Sequence, residues 1–266
     1  MSTVITKRRA AAALVTAALL LPLAACGSDD DKSDKGAEKD GGAPQRADLT
    51  VLAAASLTDV FKTAGAAYEK AHPGTKVTFS FEGSQELAAK VRQGAPADAL
   101  VTADTKTMDG LRSDTGTPTV IAKNRLVIAT GKGNPQHIER LKDLAKGDLK
   151  VVLAAPEVPV GRYSEQILAA QKVSVKPVSQ EPNVRAVLSK VELGEADAGL
   201  VYKTDVQAAD GKAEGVDIPD GQNAIAEYPA ATLKTSKHSD AAAAFVKWLN
   251  SAAAQKILRD AGFQKP

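Results

Sequence analysis

Residues 53–59 read Ala53-Ala54-Ala55-Ser56-Leu57-Thr58-Asp59. An apolar run, Leu49-Thr50-Val51-Leu52, leads in, and Val60-Phe61, Ala64, Ala67 and Tyr68 follow at helical spacing. The stretch is therefore a strand-to-helix turn, with Ser56 expected at the N-cap and Ser56-x-x-Asp59 spelling a capping box. A helix start exposes amide N–H groups that have no partner inside the helix, at the partly positive end of its dipole. Anions bind there. Small residues ahead of the turn let a ligand come close to the backbone. Gly83-Ser84, Pro159-Val160-Gly161 and Asn183-Val184 repeat the device. Taken alone, each has a plainer reading: both serines as simple caps and Pro159-Val160-Gly161 as an ordinary turn.

Outward from this stretch the chain alternates strands and helices. Leu49–Ala53 is a strand and Ser56–Lys70 a helix that stops before His72-Pro73-Gly74. Lys76–Phe81 alternates as a second strand, Gly83-Ser84 opens a helix that Gly94 closes, and Asp98–Ala103 is a third strand. This order implies a parallel sheet covered by helices, an α/β fold. Arg125–Thr130 is a strand that can cross into a second lobe. Leu141–Lys146 reads as a short helix, Lys150–Ala154 as a strand and Gly161–Lys172 as a helix. Asn183 caps a helix from Val184 to Leu193, and Ala198–Tyr202 is the next strand. Tyr228–Leu233 is extended and can cross back. Ser239-Asp240 caps a last helix ending near Ala261-Gly262, in which Phe245 and Trp248 read as packing residues.

The N-terminus is built differently. Lys7-Arg8-Arg9 is followed by an apolar run, Ala10–Leu21, too short for a membrane span, and then by Leu23-Ala24-Ala25-Cys26. This reads as a signal peptide over residues 1–25 with a bacterial lipobox, in which Cys26 takes a lipid and becomes the first mature residue. Residues 26–48 hold the lipidated cysteine and a polar tether that cannot bury enough apolar surface to fold. A diacylglyceryl group would hold the chain at the membrane, because two acyl chains anchor stably where one does not.

Composition excludes several functions. Removing Lys7, Arg8 and Arg9 from the 34 basic residues leaves 31 against 32 acidic ones. No basic excess remains to hold nucleic acid, and any anion site must be local. Cys26 is the single cysteine, which rules out an intrachain disulfide. His72, His137 and His238 lack metal-ligand spacing, and no Walker loop, dinucleotide fingerprint or Gly-x-Ser-x-Gly elbow occurs. No general base accompanies Ser56, no cofactor is expected, and the protein is read as a non-enzyme.

Five stretches together carry a resemblance: VLAAASLTDVF, FSFEGSQELAAKVRQGAPADALVTAD, APEVPVGRY, EPNVRAVLSKVELGEADAGLVYKTD and the ending LRDAGF. In content and order they resemble the periplasmic molybdate-binding proteins of bacterial molybdate ABC importers, over about Leu49 to Phe263. The resemblance implies a two-lobe periplasmic-binding-protein fold of type II, with mostly parallel sheets flanked by helices and the ligand in the interlobe cleft. Lobe 1 is expected at residues 49–125 and 228–266, lobe 2 at 126–227. It also implies a ligand set: hydroxyls of Ser56, Ser84 and Tyr202, with backbone amides at Val160 and Val184. Val160 stands where a smaller residue is common, and Glu82 brings an acid close to Ser84. An unpaired carboxylate facing a dianion would repel it, so Glu82 is expected to point away.

The ligand implied is molybdate or tungstate, bound through its oxygens with no direct metal-ion ligand. The partners implied are an ABC permease and its ATPase subunits, for a receptor expected to be a monomer on the extracytoplasmic face of the membrane. A fully ionised tetrahedral oxyanion accepts hydrogen bonds and donates none, so a shell of donors suits it. Arg162 and Arg185 adjoin the proposed amide donors and leave open whether a guanidinium touches the ligand. Two alternatives stay in view: a receptor for sulfate or another tetrahedral oxyanion, and an enzyme on the same fold.

Overall fold

The computed structural model describes residues 47–266. The signal peptide and Cys26 fall outside the described residues, as does all but the end of the tether. β1 (Ala47–Ala54) passes through a 3-10 turn at Ala55–Leu57 into α1 (Thr58–Ala71). Next come β2 (Thr75–Glu82), α2 (Ser84–Arg92), β3 (Ala99–Val101), α3 (Thr105–Asp109) and the long β4 (Thr119–Gly131). A 3-10 turn at Leu141–Ala145 leads to β5 (Val151–Ala154), α4 (Pro159–Ala170), β6 (Ser179–Glu181) and α5 (Val184–Glu192). The chain continues through β7 (Ala198–Tyr202), α6 (Lys203–Ala208) and β8 (Ala213–Asp217), then β9 (Ile225–Thr232), α7 (Ser239–Trp248) and α8 (Ala252–Asp260).

The strand order is β2-β1-β3-β9-β4-β7-β5-β6, with β8 on β4. β1 lies parallel between β2 and β3, and β5 lies parallel between β6 and β7. Two antiparallel strands join these groups. Thr119–Arg125 of β4 pairs with β9, and Leu126–Gly131 pairs with β7 and β8. One strand thus serves both lobes of this two-lobe α/β fold, and the crossing strands make the sheet more mixed than a parallel reading implies.

Alternation along the strands explains the layers. Leu49, Val51 and Ala53 of β1 face one apolar core, while Leu52 faces a second with Leu87, Leu100, Met108 and Leu111. Successive side chains point to opposite faces, so a strand covered on both sides reads as a continuous apolar run. Burying each of these leucines contributes about 1.5–3 kcal/mol. With few aromatics available, six of them gather at one place. Tyr68 packs edge-on to Phe245 (5.0 Å between ring centres) and Trp248 (5.2 Å), with Phe61, Phe79 and Phe81 adjoining. Phe245 and Trp248 are packing residues, as read.

Several local expectations are corrected. Ser56 is not an N-cap: it lies inside the 3-10 turn, and its hydroxyl bonds to Tyr228 rather than to a helix amide. α4 begins at Pro159, two residues earlier than expected, because proline fits the first helical position, where no N–H is needed. The last helix is two, broken where Ser251 caps α8 through Ala254 N–H. The Leu141 segment is a 3-10 turn. The reading also passed over α3, α6, β6 and β8, which are all six residues or fewer.

Candidate functional site

In each parallel group the helices start at the carboxyl ends of the strands, the edge where open α/β sheets bind ligands. The 3-10 turn follows β1, α2 follows β2, α4 follows β5 and α5 follows β6. These four starts meet at one small cavity, and Ser56, Ser84, Val160, Val184 and Tyr202 all line it. Its lining includes no lysine, arginine or histidine. Glu82 is the one charged residue on its wall, and its Oε1 is engaged by Lys90 Nζ and by Ser80 Oγ at 3.2 Å. One carboxylate oxygen is thus partnered, although Glu82 lines the cavity instead of standing clear of it.

Each of the five residues presents a donor. Ser84 is the first residue of α2 and is buried; its Oγ accepts the Ala103 N–H at 3.0 Å, which leaves its own proton for the cavity. Ser56 is buried, with its Oγ 3.0 Å from the Tyr228 hydroxyl. Val160 is the second residue of α4 and Val184 the first of α5, so their amides have no partner inside their helices. Asn183 caps α5 by accepting the Ala186 N–H at 3.0 Å. Tyr202 ends β7 at 1% exposure, and its hydroxyl has no hydrogen-bond partner among the described residues. Burial pushes that phenol well above its ordinary range, so it stays a neutral donor.

Glycine at 161 is a requirement of this geometry. A Cβ there would lie 2.7 Å from the Ala154 carbonyl oxygen and would collide with that of Ala155, both rigid backbone. The close approach of α4 to the end of β5 sets where the Val160 amide points. Ser164 Oγ donates to the Val160 carbonyl at 2.7 Å and steadies the same turn.

The two arginines are committed elsewhere. Arg162 on α4 reaches across to the Asp104 carboxylate and donates to Thr107 Oγ1 at 2.9 Å. Arg185 on α5 lies 2.9 Å from Asp59 of α1 and 3.0 Å from Asp205 of α6. Gln85 Nε2 donates to the Pro182 carbonyl at 2.7 Å. These contacts join the α1–α3 side of the cavity to the α4–α5 side. Burial pushes the Asp205 carboxyl up to about 6, against the pull of Arg185 and of the Tyr202 N–H that it accepts.

One set of polar residues behind the site escaped the reading of the sequence: Asn124, Thr204 and Tyr228 are buried and bonded to one another or to Ser56. The signal available was a polar Asn124 within an otherwise apolar crossing strand. Among the described residues, no group of three or more His, Cys, Asp or Glu is placed to hold a metal ion.

Donors converging from two lobes on one small cavity define a solute-binding protein of the two-lobe α/β class. The sequence profile of the bacterial extracellular solute-binding proteins matches residues 49–264, and the chain belongs to that family. It is 39% identical over 221 residues to the molybdate-binding protein ModA of Mycobacterium tuberculosis, covering 82% of this chain and 85% of that one. It is 32% identical to the putative ABC transporter substrate-binding lipoprotein YvgL of Bacillus subtilis, over 81% of this chain and 85% of the other. Among solved structures it resembles the substrate-binding domain of a putative molybdenum ABC transporter from Clostridium difficile. That match has 28% identity and a TM-score of 0.63, over 83% of this chain and 99% of that one.

Proposed function

We propose that the protein captures molybdate, and tungstate with it, outside the cytoplasm and delivers it to an ABC importer. The observation that carries this reading is the joint placement of Ser56, Ser84, Val160, Val184 and Tyr202 on one cavity with no basic side chain on its wall. Hydroxyls and helix-start amides offer hydrogen bonds to a dianion without a counter-charge, each contributing about 1.5–3 kcal/mol. The names of the mycobacterial and clostridial relatives point to the same ligand. A protonated phosphate needs an acceptor for its own proton, and this donor set offers none. Sulfate has the charge of molybdate and is smaller, so cavity size discriminates between them.

The lobes divide at residues 49–125 with 228–266, and at 126–227. The change of pairing partner along β4 between Arg125 and Leu126 supports that division. Cys26 is the lipid-bearing first residue of a mature, monomeric chain; the lipobox-like Leu23-Ala24-Ala25-Cys26 and the lipoprotein name of the Bacillus relative support the anchor. A mature chain of unmodified mass would rule the anchor out.

Isothermal titration with molybdate, tungstate, sulfate and phosphate tests the ligand. The expected order is molybdate and tungstate alike, sulfate far weaker and phosphate weakest of the four. Tighter binding of sulfate or phosphate than of molybdate would overturn the reading.

A further inference from the structure

We propose that Tyr228, which is not on the cavity wall, fixes Ser56 as a hydrogen-bond donor and thereby tunes the site to oxyanions that carry no proton. The inference rests on the reading of the cavity as an oxyanion site and adds a residue that selects the ligand's protonation state.

The chain of bonds begins at Asn124, 1% exposed on β4. Its Oδ1 accepts the Arg125 N–H at 2.9 Å. Turning the amide over would set two N–H donors against each other, so the orientation is fixed by the backbone. The NH2 group therefore faces Thr204 Oγ1 at 2.8 Å and the Tyr228 hydroxyl at 3.5 Å. Tyr228 is fully buried on β9, and its oxygen meets a group that can only donate. Its own proton then goes to Ser56 Oγ, 3.0 Å away. Burial also keeps the phenol neutral, with its pKa pushed far above the ordinary tyrosine range, so that proton stays in place. An oxygen that already accepts a proton from behind turns its own proton outward, and for Ser56 outward is the cavity.

Ser84 is oriented in the same sense by a different donor, the Ala103 N–H. A backbone amide cannot reverse its direction. Both serines are thus loaded from behind, one by main chain and one by a side chain that substitution can silence. Without the Tyr228 hydroxyl, Ser56 is free to rotate and to accept. The site then loses part of its preference for a bare dianion, and a ligand bearing a proton gains an acceptor.

Tyr228→Phe keeps the ring packed against Tyr202 (5.9 Å between centres) and Phe263 (5.4 Å), so the fold is expected to survive. Molybdate and phosphate titrations on wild type, Tyr228→Phe, Ser56→Ala and the double variant form a thermodynamic cycle. Tyr228→Phe is expected to weaken molybdate about tenfold, the equivalent of one modest hydrogen bond, and to narrow the molybdate-to-phosphate ratio. It should have no further effect on a Ser56→Ala background. An equal loss on both backgrounds, or an unchanged anion ratio, would overturn the proposal and leave Tyr228 a packing residue. Should the double variant bind too weakly to titrate, the anion ratio of Tyr228→Phe alone decides. Failure of the oxyanion-site reading gives a separate result: Ser56→Ala would bind molybdate as wild type does.

Discussion

Ser56→Ala combined with Ser84→Ala lowers molybdate affinity by about 10²–10⁴-fold, since each removes a hydrogen bond to a charged group that contributes roughly 1.5–3 kcal/mol. The two hydroxyls come from the starts of successive helices in one lobe, while Val160 and Val184 come from the other. Deleting both leaves the anion held chiefly by the far lobe, through Val160, Val184 and Tyr202. The single variants should differ in stability as well as in binding. Ser84→Ala strips the buried Ala103 N–H of its acceptor and costs about 1–3 kcal/mol of folding stability. Ser56→Ala removes a partner only from Tyr228 and should cost less. Arg162→Ala and Arg185→Ala serve as contrasts. Their guanidiniums pair with carboxylates away from the cavity wall, so each should weaken binding less than either serine variant. Titration calorimetry with thermal melts of the same samples separates the two effects.

Gly161→Ala, the addition of one methyl group, should lower both stability and affinity. The new Cβ meets the Ala154 and Ala155 carbonyl oxygens, and neither can swing away as a side chain would. The start of α4 must move off the end of β5. Overpacking of this kind costs about 1–3 kcal/mol, occasionally more, equivalent to a fall in melting temperature of roughly 2–12 °C for a chain of this size. The Val160 amide moves with the helix start, so molybdate affinity should drop by about tenfold or more, the equivalent of misaligning one charge-assisted hydrogen bond. Gly147→Ala is the control: a Cβ there meets nothing within 4 Å, and the change should stay within about 0.5 kcal/mol. A Gly161→Ala protein that melts and binds like wild type would show that the contact between α4 and β5 does not position the amide.

The parts of the site that lie within a few residues of one another were legible in the sequence. Small residues before a helix pattern mark Ala53–Ser56, Gly83-Ser84 and Asn183-Val184, and each of these does start a helix at the cavity. What was misread or missed depends on distant partners. Ser56 looked like a cap because serine commonly is one, yet its hydroxyl bonds to a tyrosine 172 residues further on. No local pattern reports that contact. The same holds for Arg162 and Arg185, whose neighbours in sequence suggested an anion and whose neighbours in space are Asp104, Asp59 and Asp205. Glu82 looked hostile to an anion until Lys90, eight residues on in α2, proved to hold it. α3 and α6 were passed over because five or six residues give too little periodicity to see. Their caps were still readable: Asp104 accepts the Thr107 N–H, and Asp205 accepts the Tyr202 N–H.

Anomalous diffraction at the molybdenum edge, from crystals grown with molybdate, locates the anion directly. The expected peak lies inside the cavity between the two lobes, with oxide oxygens within hydrogen-bond distance of Ser56 Oγ, Ser84 Oγ, Tyr202 Oη and the Val160 and Val184 amides, and no lysine or arginine nitrogen among them. A peak elsewhere, or one ringed by the Arg162 or Arg185 guanidinium, would contradict capture by neutral donors.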